Sequence, residues 1–201
     1  MIVIVDYGMG NLRSVEKAFE ASGAHPKVSS SIKDIENAAK LVVPGVGAFT
    51  HAMKELKKRG LVAPLKEKIK AGTPYFGVCL GLQLLFSHSE EGERVKGLDI
   101  IPGSVVRFNG RLKVPHMGWN TLKRNSKTCP MLKGTAPGDY FYFVHSYYGI
   151  PEDQSWILTH TSYGKDFCSS VWKDNIFAAQ FHPEKSQSVG QRIIKNFVEF
   201  K

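Results

Sequence analysis

The stretch from Gly77 to Gln83, Gly-Val-Cys-Leu-Gly-Leu-Gln, constrains the fold of this chain more than any other. It places Cys79 between two glycines, directly after the strand-like run Thr73–Phe76 and before Leu84–Phe86, which we expect to continue a helix. A small-x-nucleophile-x-small pattern between a strand and a helix is typical of a nucleophile elbow, because the glycines relieve the crowding of the sharp turn. Helix N-terminal amides favour a thiolate, so the pattern predicts a reactive cysteine, with a small buried hydrophobe as the alternative.

The composition is that of an ordinary globular protein, with 42% hydrophobic and 22% charged residues in 201, enough for one domain over residues 1–201. The formal net charge of +9 admits an anionic partner, but no binding motif accompanies the scattered lysines, so we expect no nucleic acid partner. No apolar run reaches membrane length, and the apolar start at Met1–Asp6 is too short for a signal peptide. The three cysteines lack metal-ligand spacing. We therefore expect a cytoplasmic protein with no metal, no cofactor and no membrane partner.

Strand patterns alternate with helical patterns up to the elbow. The strands are expected at 2–6, 24–28, 40–43 and 73–76, and the helices at 12–22, 31–38, 50–59 and 61–71. This alternation predicts a parallel sheet with helices on both faces and a site at the carboxyl ends of its strands. Later strand-like runs are shorter, at 105–108, 139–145, 155–163, 167–173 and 176–181, and a helix follows at 189–200. We therefore predict a single-domain α/β fold whose mostly parallel central sheet is flanked by helices and extended by antiparallel strands.

The third predicted strand leads into the loop Pro44–Phe49, Pro-Gly-Val-Gly-Ala-Phe. Gly45 and Gly47 let the backbone turn so that a peptide amide can face a ligand. A tight loop before the next helix would have the same sequence pattern. Because the loop follows a strand, we expect it at the same edge of the sheet as Cys79.

The expected partners of Cys79 lie far downstream, in Gln180–Ser186, Gln-Phe-His-Pro-Glu-Lys-Ser. His182 and Glu184 are two residues apart, and residues two apart in an extended segment point to the same side. Glu184 can then hold one imidazole nitrogen while the other faces the thiol, which supplies a nucleophile, a base and an orienting carboxylate. Alone, the pair could be a structural histidine beside a surface glutamate. Together with the elbow, the pattern favours a Cys-His-Glu triad.

The elbow and the C-terminal His-Pro-Glu together resemble the triad glutamine amidotransferases, which hydrolyse glutamine through a γ-glutamyl thioester and deliver ammonia to a synthase. Four stretches are similar to one branch of that family, the glutaminase subunits of imidazole glycerol phosphate synthase in histidine biosynthesis. They are Pro44–Phe49, Pro115–Asn120, Tyr142–Tyr147 and His182–Ser186. The resemblance covers essentially the whole chain, in order, and the second and third stretches are the ones that point to this branch.

The resemblance implies roles for the residues at matching positions. It makes Cys79 the nucleophile, His182 the general base and then the acid toward leaving ammonia, and Glu184 the residue that orients His182. Oxyanion amides are implied at Leu80, Gly45, Val46 and Gly47. In the family, the loop that carries the last three is thought to rearrange when the partner's substrate binds.

The resemblance also implies two sets of binding residues. Contacts to the α-amino and carboxylate ends of L-glutamine are implied at Gln83, Glu91, Ser146 and Tyr147. A carboxylate such as Glu91 suits an ammonium group, although the run Ser89–Gly92 could also be only a helix end. Contacts to a cyclase subunit, a (β/α)8 barrel, are implied at Asn11, Trp119, Asn120 and Lys185. Trp119 suits an interface anchor, and a buried core tryptophan is the alternative.

Because the chain has no room for a synthase domain of its own, the resemblance implies a heterodimer with the cyclase subunit. The barrel would use the ammonia to form imidazole glycerol phosphate and aminoimidazole carboxamide ribotide. Glutaminase activity is then expected to be low alone and to rise when the barrel and its ligand bind. The alternatives are a paralogous glutaminase subunit that serves another synthase, an inactive scaffold subunit, or a peptidase built on the same elbow.

Overall fold

The first part of the chain alternates strands and helices, as the sequence predicts. The computed structural model describes residues 1–92, 94–110 and 112–200. The elements up to the elbow are β1 (Ile2–Val5), α1 (Leu12–Ala21), β2 (Lys27–Ser29), α2 (Ile32–Glu36), β3 (Lys40–Val43), α3 (Phe49–Lys58), α4 (Val62–Lys70), β4 (Tyr75–Val78) and α5 (Leu80–Gln83). The second strand therefore lies slightly later than the predicted 24–28.

The second part of the chain consists mainly of strands and ends in one long helix. Its elements are β5 (Phe86–Ser89), β6 (Val95–Lys96), β7 (Ile101–Arg107), β8 (His116–Thr121), β9 (Lys123–Arg124), β10 (Tyr140–His145), β11 (Tyr147–Pro151), β12 (Ile157–Tyr163), β13 (Lys165–Lys173), β14 (Ile176–Ala179) and α6 (Gln187–Glu199). Short 3₁₀ turns lie at Pro130–Leu132, Gln154–Trp156 and Pro183–Lys185. Among the described residues, no helix is both long and apolar enough to span a membrane.

The central sheet has eight strands in the order β2-β1-β3-β4-β14-β13-β12-β9. The first five are parallel, and β13, β12 and β9 are added antiparallel. Two smaller sheets, β10-β8 and β11-β7-β5-β6, complete the second part of the chain. The predicted α/β fold, with a mostly parallel sheet and additional antiparallel strands, is confirmed.

Alternate residues of the central strands face two hydrophobic layers, because side chains alternate across a strand. Val3 and Val5 of β1 belong to the layer that includes the buried residues of α3 and α4. On the other face, the Phe76 ring stacks on Phe177 and Phe197, with centroid separations of 5.3 and 5.0 Å. This packing ties β4 and β14 to α6, and so fixes the two neighbouring strands whose carboxyl ends lead to Cys79 and His182.

The expected continuation of the elbow helix through Leu84–Phe86 is wrong. Helix α5 ends at Gln83, and Phe86 begins β5. The carbonyl of Leu84 accepts from Leu98 N at 2.8 Å, and the carbonyl of Leu85 accepts from the backbone amides of residues 100 and 101 at 2.9 Å each. These long-range bonds occupy acceptors that a continuing helix would need, so the apolar run turns into a second sheet.

Candidate active site

Cys79 lies at a strained elbow between β4 and α5. Its backbone has φ 52° and ψ −102°, an unusual conformation for a residue with a side chain. The Cys79 amide donates to the carbonyl of Ala179 at 2.7 Å, which anchors the elbow to the end of β14. A Cβ on Gly77 would come within 2.8 Å of the Gly81 backbone, and one on Gly81 would overlap the carbonyl of Val43. The two glycines are therefore needed for close backbone approach, as the sequence pattern predicts.

His182 and Glu184 come together through a 3₁₀ turn, not through an extended segment. His182 Nδ1 lies 2.8 Å from Glu184 Oε1, and the two side chains are 2% and 4% exposed. The turn spans Pro183–Lys185, so the expected pairing occurs although the strand-like reasoning behind it is wrong. The His182 amide also donates to the carbonyl of Tyr142 on β10 at 2.9 Å, which fixes the start of the turn.

The electrostatics of this pair favour a charged imidazole beside the thiol. Burial alone lowers the pKa of His182, but the charge on Cys79 and the contact with Glu184 outweigh burial, and the net pKa is raised. His182 Nε2 is buried and has no hydrogen-bond partner among the described residues. That nitrogen is therefore available to exchange a proton with Cys79 and with a leaving group.

One of the predicted oxyanion amides, that of Leu80, is engaged in this conformation. The Leu80 amide donates to the carbonyl of Gly45 at 3.3 Å. The preceding residue, Pro44, is held by the buried Tyr7 hydroxyl, which donates to its carbonyl at 2.7 Å. Val46 is 40% exposed, so the loop beyond is open to solvent. A carbonyl oxygen thus occupies the side of the Leu80 amide where an oxyanion would bind.

A cavity of about 430 Å³ opens in front of Cys79, within the size range of small-molecule sites. Predicted residues that line it are Val46, Gly47, Leu80, Gln83, Glu91, Ser146 and Tyr147. Three other predicted site residues do not line the cavity: the Gly45 carbonyl accepts from the Leu80 amide, and the side chains of His182 and Glu184 are buried. One carboxylate oxygen of Glu91 accepts from the Phe49 amide at 2.7 Å, which fixes that side chain at the start of α3.

Several residues around the cavity were not predicted from the sequence. Pro115, Val144 and His145 also line it, and Gln180 donates from Nε2 to Cys79 Sγ at 3.5 Å. Gln180 directly precedes the Phe-His-Pro-Glu run, and His145 directly precedes the predicted Ser146–Tyr147 pair. Their nearness to those motifs was the available signal. Among the described residues, no group of three or more His, Cys, Asp or Glu side chains could hold a metal ion.

The residues predicted to face a partner lie in different environments. Met117, Trp119 and Tyr140 form an exposed apolar face on β8 and β10, with exposed fractions of 62%, 44% and 59%. Trp119 is therefore not a core residue. Lys185 Nζ lies 5.8 Å from the centre of the Tyr142 ring beside this face.

The two predicted asparagines are engaged within the chain. Asn11 caps α1 by accepting from the Ser14 amide at 3.2 Å. The Asn120 side chain turns inward, where its amide nitrogen donates to the carbonyl of Ser162 at 2.9 Å.

Comparison with known proteins gives concordant matches. The family model for class-I glutamine amidotransferases matches residues 3–200. The chain is 52% identical to imidazole glycerol phosphate synthase subunit HisH of Syntrophotalea carbinolica over 98% of both chains. It is 48% identical to the HisH subunit of Geobacter sulfurreducens, over 100% of this chain and 99% of that one. For the HisH subunit of Aquifex aeolicus the identity is 49%, over 97% and 94% of the two chains.

Solved structures share the fold at much lower identity. A crystal structure of a glutamine amidotransferase matches with a TM-score of 0.77 at 20% identity, over 99% of this chain and 98% of that one. The structure of PurLQS from Thermotoga maritima matches with a TM-score of 0.77 at 14% identity, over 99% and 97% of the two chains. At these identities the two structures support the fold alone.

Proposed function

The chain belongs to the class-I glutamine amidotransferase family, and we infer that it is the glutaminase subunit of an imidazole glycerol phosphate synthase. It hydrolyses L-glutamine to glutamate and ammonia. The ammonia passes to a cyclase subunit, which forms imidazole glycerol phosphate and aminoimidazole carboxamide ribotide in histidine biosynthesis. We place this reaction in the cytoplasm.

The observation that supports the proposed chemistry is that Cys79 lines the 430 Å³ cavity while the buried His182–Glu184 pair lies next to it. The Cys79 thiolate attacks the side-chain amide carbon of glutamine and forms a carbon–sulfur bond, and the carbonyl π electrons move onto oxygen. His182 gives its proton to the amide nitrogen, and ammonia leaves as the carbonyl reforms, which produces a γ-glutamyl thioester. His182 then takes a proton from water as it attacks the thioester, and glutamate leaves with the thiolate restored.

The cavity walls fit the two ends of the substrate. Gln83, Glu91, Ser146 and Tyr147 all line the cavity, and Gln83 Nε2 donates to the Tyr147 carbonyl at 2.9 Å. Glu91 can accept from the α-ammonium group through the capacity left beside its bond to the Phe49 amide. A hydrogen-bonding wall of this kind discriminates strongly between glutamine and analogues that lack one of its polar groups.

The blocked oxyanion site supports dependence on the partner. While Gly45 O accepts from Leu80 N, that amide cannot stabilise the negative oxygen of the tetrahedral intermediate. Turning the Gly45–Val46 peptide would release the Leu80 amide and direct the Val46 amide toward the same centre. Binding of the cyclase subunit and its ligand can favour that turned state only by interacting with it more strongly than with the resting one.

The exposed face of Met117, Trp119 and Tyr140 is the surface that we assign to the cyclase subunit. Aromatic residues and methionine are enriched in protein interfaces, and monomer surfaces rarely expose them together. Val144, on the same β10 strand, lines the cavity, so the proposed interface adjoins the site that releases ammonia. Asn11 and Lys185 are proposed to lie at its rim.

The test measures glutamate release from glutamine by the purified chain alone, with the cyclase subunit, and with the cyclase subunit and its ribonucleotide ligand. Cys79→Ala should abolish release. Cys168→Ala, which removes another buried cysteine, should not. Stimulated release that depends on Cys79 supports the whole proposal. Release without stimulation would overturn the choice of synthase, and no release under any condition would overturn the glutaminase.

A further inference from the structure

A second set of buried polar side chains lies behind the cavity and begins at Gln180. This side chain is fully buried, and its Nε2 donates to Cys79 Sγ at 3.5 Å. Its Oε1 accepts from Gln83 Nε2 at 3.1 Å. Gln180 therefore contacts both the proposed nucleophile and a residue of the proposed substrate wall.

The next link fixes the orientation of the Gln83 amide. Gln83 Nε2 also donates to the carbonyl of Tyr147 at 2.9 Å, so both of its hydrogens are used. A backbone carbonyl can only accept, and thus the amide cannot be flipped without losing this bond. The remaining atom, Oε1, is left for a donor in the cavity, such as the α-ammonium group of glutamine.

Two buried histidines continue the same line of hydrogen bonds. His145 Nδ1 lies 2.8 Å from the carbonyl of Tyr147, so this nitrogen carries the proton. Burial lowers the pKa of His116 to about 4 and that of His145 to about 3, and both rings are neutral at neutral pH. His145 Nε2 is then an acceptor, and its neighbour His116 Nδ1, at 3.0 Å, is the donor.

The line ends at Asn120 on β8. His116 Nε2 has no proton, and it accepts from Asn120 Nδ2 at 3.3 Å. The Asn120 amide is oriented independently, because Nδ2 donates to Ser162 O at 2.9 Å and Oδ1 accepts from the Thr121 amide at 2.8 Å. The His116 ring also stacks on Tyr163 and Phe143, with centroid separations of 4.1 and 4.9 Å.

These contacts form one unbroken series, which we call the amide–imidazole chain: Cys79, Gln180, Gln83, the Tyr147 carbonyl, His145, His116 and Asn120. Every donor in it meets an acceptor, and one tautomer of each histidine satisfies all the bonds. Four of its six links join two side chains, and the other two share the Tyr147 carbonyl. Side-chain hydrogen bonds usually go to backbone or water, so four linked side-chain pairs are unusual. A fully satisfied buried network gives one rigid arrangement.

We propose that Gln180 is a positioning residue that holds the Cys79 thiolate and the Gln83 amide together, and that the amide–imidazole chain couples them to β8. The positions of nucleophile and substrate then depend on the strand whose outer face carries Met117 and Trp119. The coupling to substrate rests on the proposed glutaminase function. The hold on the thiolate does not depend on that function.

The inner part is tested with Gln180→Met, which keeps the size of the side chain and removes both hydrogen bonds. Gln191→Met is the matched control, because among the described residues Gln191 donates only to Ala18 O of α1 and to the Ser22 hydroxyl just after it. Alkylation of Cys79 by iodoacetamide is followed by mass spectrometry as a function of pH. Cys129 and Cys168 are buried, and burial raises their pKa to about 11 and about 12, so they react slowly in this range.

Loss of a hydrogen bond to a charged sulfur is expected to raise the pH midpoint of alkylation by about one unit in Gln180→Met, or about tenfold in rate below the midpoint. The KM for glutamine should rise about fivefold, because the Gln83 amide is released. The control should match the wild type in both. A wild-type midpoint and KM in Gln180→Met would overturn the proposal. If that variant does not fold, Gln180→Asn, whose shorter amide cannot reach both partners, is used in the same assays.

The outer part is tested with His116→Phe, which keeps the ring stacking and removes the donor to His145. We expect KM to rise about threefold. In the double variant with Gln180→Met, the changes in kcat/KM should be less than multiplicative, because either substitution alone already interrupts the amide–imidazole chain. Multiplicative effects would overturn the coupling to β8. If the wild type releases no glutamate, the proposed function fails, but the alkylation test still decides the role of Gln180.

Discussion

The buried histidine pair makes the folded protein sensitive to mild acid. His116 and His145 are 3% and 6% exposed, and burial lowers their pKa from 6.5 to about 4 and about 3. Between pH 6.5 and 5, the unfolded chain therefore binds protons at both rings while the folded chain does not. Since the unfolded state binds more protons, the free energy of unfolding falls as the pH falls through this range.

The magnitude follows from the pKa shifts. Each ring is expected to remove roughly 1.6 kcal/mol of stability between pH 6.5 and 5, or about 3 kcal/mol together. That is a large part of the roughly 5–15 kcal/mol by which domains are stable. His182 has the opposite effect on how the free energy of unfolding depends on pH, because its pKa is raised in the folded state. The stabilising contribution of His182 is fully present below pH 6.5 and is lost only as the pH rises through its raised pKa in the folded state. This contribution therefore hardly changes between pH 6.5 and 5.

Other groups interfere little in this window. The carboxyls whose pKa is lowered by hydrogen bonds and neighbouring lysines titrate at lower pH: Asp34, Asp153 and Asp166. The assay is urea unfolding, monitored by tryptophan fluorescence, at half-unit steps from pH 7 to 5. His116→Phe removes one of the two titrating rings while keeping the stacking, and should halve the slope of unfolding free energy against pH. A variant slope equal to that of the wild type would refute the reasoning, since it would mean that the pair does not titrate as buried neutral rings.

Three further substitutions test separate parts of the site. Glu184→Gln removes the carboxylate that orients His182, and should lower kcat for partner-stimulated glutamine hydrolysis by about 10² to 10⁴ with little change in KM; a kcat within twofold of the wild type would contradict the triad. Tyr7→Phe removes the donor to Pro44 O, and should lower the unfolding free energy by about 1 kcal/mol and raise partner-free glutamate release, because the oxyanion loop loses a restraint; unchanged basal release would show that the hydroxyl does not restrain the loop. Gly81→Ala places a methyl group into a backbone carbonyl of β3, and should cost about 3 kcal/mol in urea unfolding; a wild-type midpoint would exclude the close approach.

Local sequence patterns predicted the parts of the site that depend on neighbouring residues. The elbow at Cys79 needed only its two glycines and a preceding strand, and the His182–Glu184 pair needed only a fixed short spacing. The reasoning about that spacing was nevertheless wrong, because a 3₁₀ turn brings the two side chains together where an extended segment was expected.

Features that depend on contacts far apart in sequence were not predictable. The apolar run Leu84–Phe86 has a helical pattern, but its carbonyls pair with the backbone at residues 98–101, and the chain enters a second sheet. No role could be predicted for Gln180, because its partners, Cys79 and Gln83, lie 101 and 97 residues earlier in the sequence. The tautomers of His116 and His145 likewise follow only from the positions of a carbonyl and an amide on separate strands.

The structure combines a buried, oriented His182–Glu184 pair beside Cys79 with a Leu80 amide that is already bonded to the Gly45 carbonyl. The ion-pair groups are buried and oriented, so the partner has little to change at Cys79, His182 or Glu184. What is missing is one peptide orientation at Gly45, and removal of an oxyanion donor typically costs about 10² to 10³ in kcat. A single rotation in an open, glycine-rich loop could therefore produce the proposed difference between resting and partner-stimulated rates. In the proposed mechanism, the amide–imidazole chain would keep the thiolate and the substrate in place while that loop turns.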